Sequence, residues 1–302
     1  MSRSLFIAGA TGKQGGALIR ALLEHPSFDE KTHVIYAMTR DPTSASAKCL
    51  ETRSPTIKLV QGDLNDVPQA FKNLPVKPWG TFILTNPQKK PKPEDVIGKT
   101  FVDEAIRAGS KHIVFTSVAR GSANGGFNPT DVPHFITKHE IEGHLMEKTK
   151  GTDITYTIIR PVFFLDNFDW GFFGKLIITA WRDNVKGKLQ VVATEDIGKV
   201  AANAFLQSDS IEYKNKAIPL AGDDLTFGEA NEIFKSKLGR DLPTTFSFLP
   251  ASMLWLVHDL RSMFEFFNRP GFQVNIEEVK KLSSVSTFSQ WLDRSSYVKK
   301  AA

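Results

Sequence analysis

Short apolar runs alternate with segments of helical period along the first half of the chain, and that alternation predicts a βαβ architecture. The runs at 4–8, 33–38, 57–61, 81–85, 112–116 and 155–159 are rich in β-branched and aromatic residues and read as strands. Several are apolar almost throughout, as strands of a parallel sheet covered on both faces must be. Between them, 14–24, 67–73, 94–108 and 135–149 read as helices, and in the first of these Leu18, Leu22 and Leu23 fall on one face. The economical reading is an α/β fold with a doubly wound parallel sheet.

After Arg160-Pro161 the pattern loosens into Phe163-Phe164-Leu165-Asp166-Asn167-Phe168, and the remainder of the chain looks like a smaller mixed α/β lobe. Residues 1–160 therefore read as the main domain and 161–302 as a C-terminal lobe that contributes in part to the main sheet. Thr226-Phe227-Gly228-Glu229 has capping-box spacing and predicts a helix from about 227 to 238. The aromatic stretch Leu254 to Phe267 reads first as core or lobe interface and second as pocket lining. A loop after the fourth strand is expected over the proline-spaced run Pro87 to Pro93.

Composition narrows the class. With 302 residues, 41% hydrophobic and 24% charged, the chain is globular and large enough to bury a core without staples. A single cysteine, Cys49, excludes a disulfide scaffold, and the one Asn-X-Thr match, at Asn128, is disqualified by Pro129. The apolar run Leu5 to Ala8 is too short for a signal-peptide core, and no later window offers the roughly 18 apolar residues of a membrane span. The expected compartment is cytoplasmic or nuclear, with no membrane contact. A net charge of +5 is spread along the chain and selects no partner by itself.

The strongest chemical signal is Gly9-Ala10-Thr11-Gly12-Lys13-Gln14-Gly15-Gly16, set between an apolar strand and an amphipathic helix. Gly9 permits a tight turn, Gly12 lets the backbone approach a pyrophosphate, and Gly15 lets the helix pack close. The unpaired N–H groups at the helix start, with Thr11, Lys13 and Gln14 around them, then bind phosphates. At the end of the second strand comes Thr39-Arg40-Asp41, where such folds read the adenosine ribose. A guanidinium pairs with a 2′-phosphate, so Arg40 favours NADP(H), while Asp41 one step later keeps NAD in play. Asp63, followed by Leu64, fits an adenine contact; Thr85 and Asn86 follow the fourth strand where the chain passes near the adenosine or ribose. All four could instead be ordinary turn residues.

Together these motifs, with His134-Phe135-X-X-Lys138 and with Arg160-Pro161 leading to Asp166-Asn167, resemble the NmrA-like family of atypical short-chain dehydrogenases/reductases. The resemblance runs over essentially the whole chain, taking in Thr194-Glu195-Asp196-Ile197-Gly198 and Phe288-Ser289-Gln290-Trp291-Leu292. It implies a Rossmann-type lobe, a smaller C-terminal lobe, and NADP(H) in the cleft between them, with Phe164 and Asn167 beside the nicotinamide. Family members include redox-responsive regulators and working reductases.

The larger superfamily uses Tyr-X-X-X-Lys; here Lys138 matches the lysine and His134 stands at the tyrosine position. Lys138 is expected to contact the nicotinamide ribose. For His134 three roles stay open: a residue without chemistry, a substitute proton donor, or a metal ligand. Ser117, ending the fifth strand, is a candidate hydrogen-bond donor to a substrate oxygen, though it lacks the Gly-X-Ser-X-Gly elbow of a hydrolase. His139 to His144 is no zinc motif, because Gly143 occupies the spacing-four position, and no metal is expected. The first functional expectation is a redox-responsive regulator acting through a protein partner; the alternative is an NADPH-dependent reductase of a small carbonyl, quinone or unsaturated substrate. Direct nucleic-acid binding is not expected, since no helix concentrates base-reading residues.

Overall fold

The computed structural model describes residues 3–87, 90–121, 130–169, 171–269 and 271–299. Gln88 and Lys89 of the proline-spaced loop, and Asn128 with Pro129, lie outside the described residues. The first half alternates as its pattern predicts, with one helix, α2, that the pattern did not mark: β1 (Arg3–Ile7), α1 (Lys13–Glu24), β2 (His33–Thr39), α2 (Ala45–Glu51), β3 (Ile57–Gln61), α3 (Val67–Lys72), β4 (Gly80–Ile83), α4 (Glu94–Arg107), β5 (His112–Thr116), α5 (Pro133–Thr149) and β6 (Thr155–Pro161). There follow β7 (Phe163–Phe164), α6 (Phe172–Asn184), β8 (Leu189–Val192), α7 (Thr194–Leu206), β9 (Lys216–Leu220), β10 (Asp223–Leu225) and α8 (Phe227–Leu238). The last elements are α9 (Phe248–Leu256), α10 (His258–Asn268), α11 (Ile276–Leu282), α12 (Phe288–Arg294) and α13 (Ser296–Lys299).

Seven strands form the main sheet in the order β3-β2-β1-β4-β5-β6-β9, and the pairs from β3 across to β6 are parallel. The chain runs outward from β1 to β3 and then crosses back to β4, so the order reverses between β1 and β4. In open α/β sheets ligands bind outside the carboxyl ends of the strands at such a reversal. One face of the sheet packs Phe6, Tyr36, Met38, Phe115 and Ile158 against α3, α4 and α5. Phe6, Phe71 and Phe101 meet there with ring centroids 4.9 to 6.1 Å apart. By strand alternation Leu5, Ile7, Ile35 and Ala37 point the other way, and they too are buried. Covered on both faces, β4 and β5 are buried along their whole length and mostly apolar, with Thr81, His112 and Thr116 as their polar members.

The chain divides into two compact units. The first comprises Met1–Val118, Thr137–Arg160 and Ile197–Ile218; the second comprises Ala119–Ile136, Pro161–Asp196 and Pro219–Ala302. In the second unit β8 pairs in parallel with β7 and antiparallel with β10. The capping box at Thr226 and Glu229 is formed and starts α8, which ends at Gly239 in the left-handed conformation. A second box, Thr287 with Gln290, starts α12. The aromatic stretch Leu254 to Phe267 breaks at Val257: Met263, Phe264, Phe266 and Phe267 of α10 are buried, whereas Trp255 of α9 is 75% exposed. Among the described residues no helix is long and apolar enough to cross a membrane.

Candidate functional site

The glycine loop leaves the carboxyl end of β1 at the strand-order reversal. Gly9 has φ +60, and a Cβ there would stand 2.9 Å from Leu84 Cδ2, so the turn requires glycine on both counts. At Gly15 a Cβ would lie 2.3 Å from the Gly9 carbonyl oxygen; the absence of a side chain is what lets α1 close onto the loop. Gly12 is different. Its N–H donates to the Gly9 carbonyl at 2.9 Å, its φ of −86 is open to any residue, and it lies exposed as the N-cap of α1. No side chain caps that helix and no acid stands in its first turn, which leaves a positive helix end facing outward beside exposed Thr11 and Lys13. The buried Gln14 Oε1 has no hydrogen-bond partner among the described residues.

At the neighbouring strand end, the Gly62 N–H donates to the Thr39 carbonyl at 2.9 Å, which sets Asp63 beside Thr39 and Arg40. The Asp41 carboxylate is turned onto Thr43, accepting from its hydroxyl at 2.6 Å and its N–H at 2.8 Å. Those bonds, the hydroxyl foremost, hold its pKa below the ordinary carboxylate value. Arg40 is exposed, and its guanidinium meets no partner among the described residues. Asp63 Oδ1 accepts from the Asn65 N–H and side-chain amide at 2.8 and 3.0 Å, capping the short 3-10 turn that begins at Leu64.

Beyond β4 the structure joins Thr85 and Lys138 through a residue the sequence did not single out. The Lys138 ammonium lies 2.9 Å from Glu94 Oε1 and donates to the Thr85 hydroxyl and carbonyl at 3.0 and 3.3 Å. The Thr85 hydroxyl donates to the same Glu94 oxygen at 2.7 Å, and the Thr137 hydroxyl takes the other at 2.7 Å. The Glu94 side chain is only 1% exposed. Burial pushes its pKa up, but the Lys138 charge and the three donors outweigh that and hold it below the ordinary value. Glu94 opens α4 behind Pro93, and a carboxylate in a first helical turn reads as solvated dipole compensation. Asn86 is exposed, and Ser117 is buried, its N–H bonded to the Ile159 carbonyl at 2.7 Å.

Three sequence candidates belong to the second unit. His134 Nδ1 is 2.7 Å from Asp259 Oδ1, and the His134 backbone N–H donates to that oxygen at 3.3 Å. Asp259, 125 residues away, had no local signal to announce it. Phe164 leads into a 3-10 turn, Leu165–Asn167, that contains Asn167, and the neighbouring Asp166 accepts from the Thr194 N–H at 2.8 Å. Asp259, Ser262 and Phe266 fall on one stripe of α10, and Ser262 and Phe266, with Arg269 just past the helix end, line a groove of about 990 Å³. Val132, Phe266 and Phe267 give it apolar walls; Lys186, Lys188 and Arg269 give it cations. Among the described residues no cluster of three or more His, Cys, Asp or Glu side chains is suited to a metal ion.

A model of the NmrA-like family matches residues 1–298. An NmrA-like family domain-containing protein of Dictyostelium discoideum is 23% identical, over 98% of this chain and 99% of that protein. The NmrA-like family domain-containing oxidoreductase FrzB of a Cladobotryum species is 31% identical over 56% of this chain; the match spans about half, 48%, of that relative. Among solved structures, NmrA, a negative transcriptional regulator, in complex with NADP, superposes with a TM-score of 0.69 at 19% identity, covering 99% of this chain and 97% of that one. The fold is the same.

Proposed function

This chain belongs to the NmrA-like family, and from that premise we propose that it binds NADP(H) and reduces a small carbonyl, quinone or unsaturated compound. The loop residues Gly12 to Gly15 hold the pyrophosphate against the uncapped start of α1, where a Cβ at Gly12 would fill the approach. Arg40, exposed beside an Asp41 carboxylate whose Oδ1 is turned onto Thr43, takes the 2′-phosphate. Asp63 and Leu64 lie on the adenine side, Thr85 and Asn86 follow, and Lys138 holds the nicotinamide ribose. When bound, the dinucleotide supplies the hydride. This chain supplies position and the proton.

The observation that carries the reductase reading is the His134–Asp259 hydrogen bond of 2.7 Å. It gives the position of the superfamily's tyrosine an oriented group that can donate a proton. FrzB, a relative named as an oxidoreductase, supports the same class of chemistry. Pure protein incubated with NADPH and a panel of quinones, aldehydes and enones should oxidise the cofactor, followed by nicotinamide absorbance. Tight NADPH binding without turnover across the panel would sink the reductase reading.

A second reading, a regulator that acts through a protein partner, is favoured by one feature. Phe246, Phe248, Trp255 and Leu256 leave an apolar face of the second unit exposed to solvent. NmrA itself is a negative transcriptional regulator. In this reading NADP(H) binds and is not consumed, so the same turnover assay separates the two.

A further inference from the structure

We propose that Asp259 is the positioning residue of His134, fixing which ring nitrogen delivers the proton; the proposal rests on the reductase reading. An ionised carboxylate can only accept, so the 2.7 Å contact puts a proton on Nδ1. The second bond to the same oxygen, from the His134 backbone N–H at 3.3 Å, fixes the carboxylate against the start of α5. The ring is also held by packing: it stands edge-on to Phe135 at 4.6 Å, and Phe135 in turn stands edge-on to Phe266 of α10 at 5.3 Å. Both His134 and Asp259 are partly buried, with side chains 15% and 34% exposed. A histidine held in this way keeps one ring orientation, and Nε2 becomes the nitrogen that exchanges a proton with a substrate.

In the reaction the substrate carbon receives the hydride supplied by NADPH, and its oxygen receives the Nε2 proton of protonated His134. The ring is left neutral with its remaining proton on Nδ1, still bonded to Asp259, and water restores the Nε2 proton. NADPH ends as NADP⁺, so the substrate gains two electrons and two hydrogens. Asp259 lies one helical turn before Ser262 of α10, and Ser262, not Asp259, is part of the groove wall.

Asp259→Asn is the informative variant, because its amide oxygen can still accept the backbone N–H while the charge that dictates the tautomer is gone. In ¹⁵N-histidine-labelled protein, the His134 signals should report a protonated Nδ1, and Asp259→Asn should move them. Turnover should fall at least tenfold in Asp259→Asn with NADPH affinity unchanged. A His134 ring unprotonated at Nδ1 in the unmodified protein overturns the proposal. So does full turnover in Asp259→Asn alongside loss of turnover in His134→Phe, an outcome that leaves the reductase reading standing and makes Asp259 a mere cap of α5. If the unmodified protein turns over nothing, the reductase reading fails, and the proposal of a proton-delivering His134 fails with it.

Discussion

The Glu94 carboxylate and the Lys138 ammonium stand 2.9 Å apart, 11% and 1% being all that solvent reaches of the lysine and glutamate side chains. Their charges are matched and every Glu94 oxygen has a donor, from Thr85, Thr137 or Lys138. A pair this deep holds its parts in register beyond the carboxyl end of β4, and either partner alone would be an uncompensated buried charge.

The first expectation comes from that balance. Glu94→Gln should cost about 3–5 kcal/mol of stability, the range for removing one partner of a buried pair. The double variant Glu94→Gln, Lys138→Met should be more stable than Glu94→Gln alone, because it removes the orphaned charge. Urea unfolding of the singles and the double closes the cycle, and additive losses would show that the two charges do not depend on each other.

NADPH should bind about 10- to 100-fold more tightly than NADH, and Arg40→Ala should erase most of that difference. The Asp41 carboxylate is turned toward Thr43, whose N–H and hydroxyl both bond its Oδ1. Calorimetry with both cofactors decides it; equal affinities in the unmodified protein would count against the guanidinium as a phosphate ligand.

The two central glycines of the loop should fail differently. Gly12→Val keeps an allowed backbone and meets only the Gly9 oxygen at 3.1 Å, so the fold should survive while binding of either cofactor is lost. Gly15→Ala drives a Cβ to 2.3 Å from backbone and should destabilise by about 1–3 kcal/mol. Thermal melts with and without NADPH separate the cases: Gly12→Val should melt normally yet gain nothing from NADPH.

What the sequence made legible is what local pattern encodes. Strand and helix periods placed α1, α3, α4, α5 and the first six strands within a few residues, and Thr226 with Glu229 marked the start of α8 because a capping box is a four-residue interaction. The glycine loop was legible as a local spacing motif, and Gly15 answers the nearby Gly9 carbonyl, whereas the Leu84 side chain that crowds Gly9 lies 75 residues away and was not legible. Glu94 and Asp259 were not. Each becomes special only through a partner 44 or 125 residues away, and no period or spacing carries that information. The break at Val257 was likewise hidden, since an aromatic-rich stretch looks alike whether its side chains end up buried like Phe264 or exposed like Trp255.

Stability should depend on pH through His112. Burial, and secondarily the charge of Arg3, lower its pKa from 6.5 to about 3 in the folded protein, where both ring nitrogens face the hydroxyls of Thr155 and Thr157. The unfolded chain binds a proton near pH 6.5 that the folded chain refuses, so this contribution is complete above that pH and is lost progressively down to about 3. The full loss amounts to up to about 5 kcal/mol. His112→Gln should flatten the decline of melting temperature between pH 6.5 and about 4; an unchanged slope would assign the acid sensitivity to other groups.

Finally, the two ends of the His134-Phe135-X-X-Lys138 segment should separate in kinetics. His134→Phe keeps an aromatic ring against Phe135 but removes both the proton and the bond to Asp259, so turnover should fall about 100-fold or more while NADPH affinity changes little. Lys138→Met should weaken NADPH binding as well as turnover, because its ammonium holds the ribose in the proposed site, and it also strips Glu94 of its counter-charge. Stopped-flow measurement of hydride transfer, with cofactor affinity from fluorescence titration, resolves the two effects. Turnover retained in His134→Phe would mean that the proton comes from water or another side chain, and the Asp259 contact would then serve only to hold the first turn of α5.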